Sequence, residues 1–273
     1  MIRLKETLIR QASDVIRWVD ATGRVGQESP VLNALHIALA DDMDIKDLSF
    51  LHKPGASVIW RSKLAGDSQL QRSIDSNPLT ETDKHRPTEI GYQLKGTVTD
   101  PAGVFNPRSF EKNCGNNSYP QIALYRSVTG TRLSQNKFLQ GILRYQKQPD
   151  ETHAQPAAWA LVSLQVNLSS TGDTFDFNAQ ADANGYFQLP VTRLSPAMLT
   201  AGFGAVFSVK ANKVQSSQAF PDPDQMTAMQ IAVENGLIFT DTLDVIAEKK
   251  QQQLKLGFVA NEIRVTTLTL KSP

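Results

Sequence analysis

The sequence predicts a mainly β chain: one or more antiparallel β-sandwich domains with a short helical excursion near the C-terminus. Three observations carry this. Apolar and polar residues alternate in many short runs, which is the period of a half-buried strand. Turn signals recur roughly every ten residues, a sandwich spacing rather than that of alternating strands and helices. The stretch TFDFNAQADANGYFQLPV, Thr174 to Val191, reads as a hairpin. Phe175 and Phe177 alternate on one side of its turn, and Phe187, Leu189 and Val191 on the other. Between them stand Asp182, Asn184 and Gly185. Glycine adopts a positive φ without steric cost and asparagine tolerates one, so Asn-Gly between alternating runs is a strong hairpin signal.

The first block spans residues 1–66. Val15, Ile16, Trp18 and Val19 form a strand that ends at Asp20-Ala21-Thr22-Gly23-Arg24. A second apolar run covers Val31 to Ala40, and a third covers Ala56 to Leu64 after the turn Lys53-Pro54-Gly55. Proline presets φ and the following glycine permits φ > 0, as that turn requires. Residues 67–91 carry few large apolar side chains and two prolines, so they read as a linker or long loop.

Residues 92–273 read as the β-sandwich proper. Tyr92, Leu94, Gly96 and Val98 lead into the turn Asp100-Pro101-Ala102-Gly103. A long insertion follows over 105–120, and then strands at Ile122 to Tyr125, Phe138 to Tyr145 and Trp159 to Leu168. Phe203, Ala205, Phe207 and Val209 share one face of a later strand. The helical excursion is expected within 220–250. Pro221-Asp222-Pro223-Asp224 provides a cap, Met226, Met229, Ile231 and Val233 the face, and Asn235-Gly236 the stop. The last strand carries Ile263, Val265, Thr267 and Thr269 on one face. Three segments, VIRWVDATGR, YQLKGTVTDPAG and FLQGILRYQ, each open a block with a strand and form a faint internal echo.

Composition bounds the function. The 273 residues are 40% hydrophobic and 20% charged, enough to bury a core. With 28 basic and 27 acidic residues the net charge is +1, which argues against a dedicated nucleic-acid binder or a polybasic membrane anchor. The N-terminal MIRLKETLIRQASDVIRW has charges where a secretory signal needs an unbroken apolar core, and no run reaches the ~18 apolar residues of a membrane span. The expected location is cytoplasmic.

No catalytic, cofactor-binding or metal-ligating constellation stands out. Cys114 is the single cysteine, so no internal disulfide forms; it lies in the polar run NCGNNSY and reads as an incidental loop thiol. His36 lies inside an apolar run and reads as a core or edge residue. His52, His85 and His153 lie in polar turns, and no two histidines have metal-ligand spacing. Asp182, Asn184 and Gly185 fail as a calcium loop, because Gln180 and Val191 stand where the first and last ligands belong. Gly202-Phe203-Gly204 leads into a strand, so it lacks the helix N-terminus of a phosphate loop. The carboxylate pairs Asp173/Asp176 and Asp41/Asp42 read as turn solubility. Trp18, Trp60 and Trp159 offer a sugar-stacking face or, more simply, core.

The segment LKGTVTDPAG, the strand WALVSLQV and the turn Asp182-Ala183-Asn184-Gly185-Tyr186-Phe187 together resemble carboxypeptidase regulatory-like, or transthyretin-like, β-sandwich domains over residues 92–215, and more loosely over 12–66. That resemblance implies an accessory role without catalytic residues: such domains prop, plug or present. It also implies a cap or terminal component of a phage-tail-like contractile injection particle. The expected function is therefore a non-enzymatic structural or assembly protein, oligomeric or docked on the protein subunits of a larger assembly. No nucleic acid, membrane insertion, cofactor or metal enters this expectation. The alternative is a carbohydrate or other ligand-binding β-sandwich module. The stretches expected to carry contacts are 67–90, 105–120 and 220–250, since long irregular segments on a β scaffold concentrate function.

Overall fold

A computed structural model describes residues 12–41, 48–61, 92–114, 119–130, 138–146, 155–191, 203–212, 220–233, 243–244 and 266–271. In these the protein is mainly β. The first strands are β1 (Ala12–Asp20), β2 (Gly23–Arg24), β3 (Ser29–Pro30), β4 (His36–Leu39), β5 (Leu48–Lys53) and β6 (Ala56–Arg61). Then come β7 (Tyr92–Thr99), β8 (Arg108–Cys114), β9 (Gln121–Leu124), β10 (Phe138–Tyr145), β11 (Gln155–Pro156) and β12 (Leu161–Leu168). After these lie β13 (Thr174–Gln180), β14 (Tyr186–Pro190), β15 (Phe203–Ala211), β16 (Thr227–Ala228), β17 (Gln230–Val233), β18 (Leu243–Asp244) and β19 (Thr266–Lys271).

Alternation decides which face each strand buries. On β7, Leu94, Gly96 and Val98 point inward while their neighbours stay half-exposed. On β10, Leu139, Gly141, Leu143 and Tyr145 point inward. Two sandwiches result. In the first, β3-β1-β6-β5 with β9 beside β1 forms one sheet, and β4-β7-β8 forms the other. Their shared core includes Ile16, Trp18, Ile59, Leu94, Phe110 and Ile122. Trp18 and Phe110 meet edge to face across it, ring centres 5.9 Å apart. In the second, β11-β10-β19-β17 with β14 faces β16-β15-β12-β13-β2 with β18. Phe187 and Phe207 meet across that core at 5.6 Å. Most pairings are antiparallel; β1 with β9 and β10 with β19 run parallel. The three echoing segments supply β1, β7 and β10, each with strands bonded along both of its sides in a different sheet.

Several expectations change. Residues 92–124 share a core with the N-terminal block, so the two cores divide between Tyr125 and Phe138 rather than at 67–91. The linker stretch itself lies outside the described residues. The strand LKGTVT and its Asp100 turn thus belong to one sandwich, while WALVSLQV and the Asp182 turn belong to the other. The stretch 105–120 is not a loop insertion: it contains β8, paired along its length with β7.

The predicted hairpin at 174–191 is also corrected. Its two strands exist, but β13 pairs with β12 and β14 pairs with β10, in opposite sheets. Phe175 and Phe177 therefore face Phe187 and Leu189 across one core instead of lying side by side. The Asp182 turn is a corner between layers. The Asp182 carboxylate accepts from the backbone N–H groups of Asn184 and Tyr186 at 2.8 and 3.0 Å. Gly185 adopts φ +80, and a Cβ there would lie 2.2 Å from the Leu143 carbonyl oxygen. Only glycine fits so close a backbone approach.

The helix expected from Met226 onward is replaced by β16 and β17, after a single 3-10 turn at Pro223–Gln225. Met229, Ile231 and Val233 are spaced by two, the period of a strand face; on a helix Ile231 would point about 200° away from Met229, and pairing with β19 selects the strand. Residues 234–242 and 245–250 lie outside the described set. The Pro54-Gly55 turn holds as expected: it joins β5 to β6 with Gly55 at φ +79.

Candidate functional site

The most heavily built polar site lies where the two sandwiches meet. Arg108 opens β8 at an inward-facing position, with a side chain 1% exposed. A buried guanidinium needs partners for its N–H groups. Its Nε donates to the Ser109 carbonyl at 3.0 Å and Nη1 to the Ala123 carbonyl at 2.6 Å. Nη2 donates to Asp222 and, at 3.0 Å, to Oδ2 of Asp224. Both carboxylates come from the strap that leads into β16 and the second sandwich. The Pro-Asp-Pro-Asp sequence explains their placement. Asp222 caps the 3-10 turn by accepting from the Asp224 N–H at 3.1 Å, and Pro223 needs no N–H partner there. The Ser109 N–H donates to the Pro221 carbonyl at 3.1 Å, which lays the strap along β8.

Lys112 completes the cluster, its Nζ 2.8 Å from Asp224 Oδ2. Burial alone would raise the Asp224 pKa, but the hydrogen bond from Lys112 and the charge and hydrogen bond of Arg108 outweigh it and hold the carboxyl below its ordinary value. Beside them, burial pushes the Tyr125 hydroxyl up to about 12; the Arg108 charge opposes this, and Asp224 and Glu28 add to it. Tyr125 packs with Leu161 and Met226, a small apolar cluster drawn from both sandwiches.

Three further contacts tie the halves together. Asn106, buried, donates through Nδ2 to the carbonyls of Gln180 and Ala181 at 3.3 and 3.2 Å. Short β2 pairs with β13, and the Val25 N–H donates to the Asp176 carbonyl at 2.7 Å. The Arg24 guanidinium lies 4.2 Å from the centre of the Phe175 ring. Gln180 in turn donates through Nε2 to the Trp159 carbonyl at 3.0 Å, and Trp159 holds a positive φ of 62°. The Trp159 ring meets Phe220 edge to face at 6.1 Å. Beside this junction a groove of about 490 Å³ opens between the outer face of the β4-β7-β8 sheet and the strap at Phe220 to Gln225.

The residues weighed from sequence are distributed otherwise. Cys114 is not in a polar loop: it ends β8 and is buried in the first core. His52 is exposed, as expected, but lies on strand β5 rather than in a turn. It stacks on Phe50, and its Nδ1 is 2.9 Å from the Ser57 hydroxyl. That hydroxyl also accepts from Trp18 Nε1 at 2.7 Å and is buried, so the contact is a structural link, not an accessible nucleophile. His36 is exposed on β4, at a sheet edge. Trp18 and Trp159 are buried, so they form no sugar-stacking face; the Trp60 side chain, His85 and His153 lie outside the described set. Asp173 and Asp176 are exposed, with Asp176 accepting from Gln165 at 3.0 Å. Asp41 is exposed, and Asp42 lies outside the described residues. Phe203-Gly204 starts β15, a strand as expected. Among the described residues no group of three or more His, Cys, Asp or Glu is placed to hold a metal, and no helix is long and apolar enough to cross a membrane.

Arg108, Asn106 and Gln180 were not anticipated. The available signal was Arg108 itself, two residues before Phe110 and so on the inward face of the same strand. Its partner sequence lies more than a hundred residues away, beyond any local pattern.

No family model matches the chain, and no curated protein matches it. Among solved structures, a candidate adhesin from Bacteroides ovatus aligns at 10% identity with a TM-score of 0.20, covering 98% of this chain and 90% of that one. A score that low establishes no shared fold.

Proposed function

We propose that the protein is a non-enzymatic structural or assembly subunit of a larger particle, with protein subunits as its partners. The observation that supports this is the junction. Two sandwiches of comparable build are held in one orientation by a buried arginine with two carboxylates, a buried asparagine, a shared strand pairing and a common apolar cluster. Arg108 and Asn106 each find acceptors at the junction, and buried donors so paired favour one geometry among the alternatives, although Gln180 Oε1 and Trp159 Nε1 beside them have no hydrogen-bond partner among the described residues. A fixed geometry is what a subunit needs if its two ends must meet neighbours in register. The role involves no nucleic acid, membrane insertion, cofactor or metal. Within this reading, a cap or terminal position in a phage-tail-like contractile injection particle is what the sequence resemblance implies, although the LKGTVTDPAG and Asp182 segments that carry it stand in different sandwiches.

A carbohydrate or other ligand-binding role is the second reading, and the groove beside the junction favours it. Size-exclusion chromatography with light scattering tests the first reading. A discrete oligomer, or co-elution with a megadalton particle, supports assembly. A strictly monomeric protein that joins no particle overturns it.

A further inference from the structure

The groove beside the junction has a chemistry that the assembly role does not use. Its floor is the row Ala38, Thr97 and Ser109, aligned across β4, β7 and β8 by the strand registers. Small side chains there leave depth between taller neighbours. Lys95 stands directly opposite Glu111 in the next row. Glu111 also accepts from the Gln93 amide, and Asp222 on the far wall is held by Arg108. Each charge at the groove thus has an opposite or donating partner within the protein, which leaves little to select an ionic ligand. What remains is a set of neutral hydrogen-bonding groups, the Thr97 and Ser109 hydroxyls and the Gln225 amide, along with the Phe220 ring. That ring is fixed by its edge contact with Trp159. Its volume of about 490 Å³ falls within the range of small-ligand sites.

We propose that this groove binds a neutral polyhydroxylated ligand, a short oligosaccharide being the class that fits. Sugar hydroxyls both donate and accept, which suits hydroxyl and amide partners that do the same. The apolar C–H face of a pyranose packs on an aromatic ring such as Phe220. The walls are set before any ligand arrives, since the strap is bolted to β8 through Arg108 and Pro221. Pre-set walls reduce the ordering cost of binding.

The test is isothermal titration of the purified chain with maltotriose, cellotriose, xylotriose and N-acetylated chitotriose, with inorganic phosphate and a sulfated trisaccharide as charged comparators. Thr97→Trp fills the floor from an outward strand position that accepts aromatic residues. Gln225→Ala, at an exposed site, removes a polar partner without touching the core. We expect at least one neutral trisaccharide to bind. Thr97→Trp should weaken it tenfold or more, and Gln225→Ala several-fold, with unchanged thermal unfolding. No heat from any neutral probe at about 10 mM, a concentration that registers even millimolar affinity, overturns the proposal. Equal binding by Thr97→Trp, or preference for the charged comparators, does the same. Oligomeric state is unaffected in every case, so failure here is distinguishable from failure of the assembly reading.

Discussion

Replacing Asp222 by alanine is the sharpest perturbation of the junction. In the native fold Asp222 and Asp224 both meet Arg108 Nη2, but their exposures differ: 9% for the Asp222 side chain and 45% for Asp224. At an effective dielectric constant of ~20, two charges about 3 Å apart attract by roughly 5 kcal/mol before desolvation is counted. Breaking a buried pair from one side costs about 3–5 kcal/mol, because the remaining charge stays buried. Asp224 still neutralises part of Arg108, which brings the cost of Asp222→Ala to the lower end, about 3 kcal/mol. That figure includes the lost cap on the 3-10 turn, worth about 1 kcal/mol. Asp224→Ala leaves the better-buried partner in place and removes a half-exposed one, so it should cost about 1 kcal/mol or less. Urea unfolding of the three proteins gives the comparison. With a slope near 3 kcal/mol per molar, Asp222→Ala should lower the midpoint by about 1 M and Asp224→Ala by about a third of that. Equal shifts, or a larger one for Asp224→Ala, would refute the assignment of Arg108 and Asp222 as the bolt between the sandwiches.

Other outcomes follow from single residues. Gly185→Ala should destabilise by more than about 2 kcal/mol, from backbone strain and the collision with the Leu143 carbonyl. Gly103→Ala, at φ +68 with nothing near its Cβ, should cost only about 1 kcal/mol in the same melts. Ser57→Ala leaves the buried Trp18 N–H without its acceptor and should cost about 1–3 kcal/mol, while serine to threonine should restore much of it. Tyr125, raised from 10.0 to about 12, ionises in the unfolded chain first. The unfolded state then binds fewer protons across that window, so stability falls as pH rises from about 10 to 12, by an amount on the order of 2 kcal/mol. Tyr125→Phe should flatten that part of the pH profile. Asp224 acts at the other end: its lowered pKa contributes stability present above its ordinary value of 3.8 and lost as pH falls below it. Asp224→Asn should remove that acid-side loss.

Strand identity was legible wherever one face is buried and the other is wet. The eight residues of β7 and of β10 show their inward positions in the sequence itself, since alternate side chains point to opposite faces. The turns were equally plain: Pro54-Gly55 and Asn184-Gly185 both place glycine at positive φ. The Pro-Asp-Pro-Asp cap was read correctly as a start signal, although what it starts is one 3-10 turn. Cys114 was misread because its polar neighbours outnumber it locally, while its own strand position faces inward. The junction was not legible, since Arg108 and Asp222 stand apart in sequence and neither carries a local signature of its partner.

The chain by itself determined its class, its strand faces and its turns, because these rest on local backbone preference and on which side chains water excludes. Tertiary structure alone decided which strands pair. The run from Phe175 to Val191 satisfies alternation whether its halves lie side by side or face each other. Burial of Phe175 and Phe177 together with Phe187 and Leu189 in one core, with Gly185 pressed against Leu143, selects the second arrangement. The same applies to the Pro221-Asp222-Pro223-Asp224 cap, which admits a helix until β19 offers the residues after it a ladder of backbone hydrogen bonds. Two sandwiches divided after Tyr125, and a buried arginine that fastens them, emerge only when distant segments compete for the same apolar surface and the same buried donors.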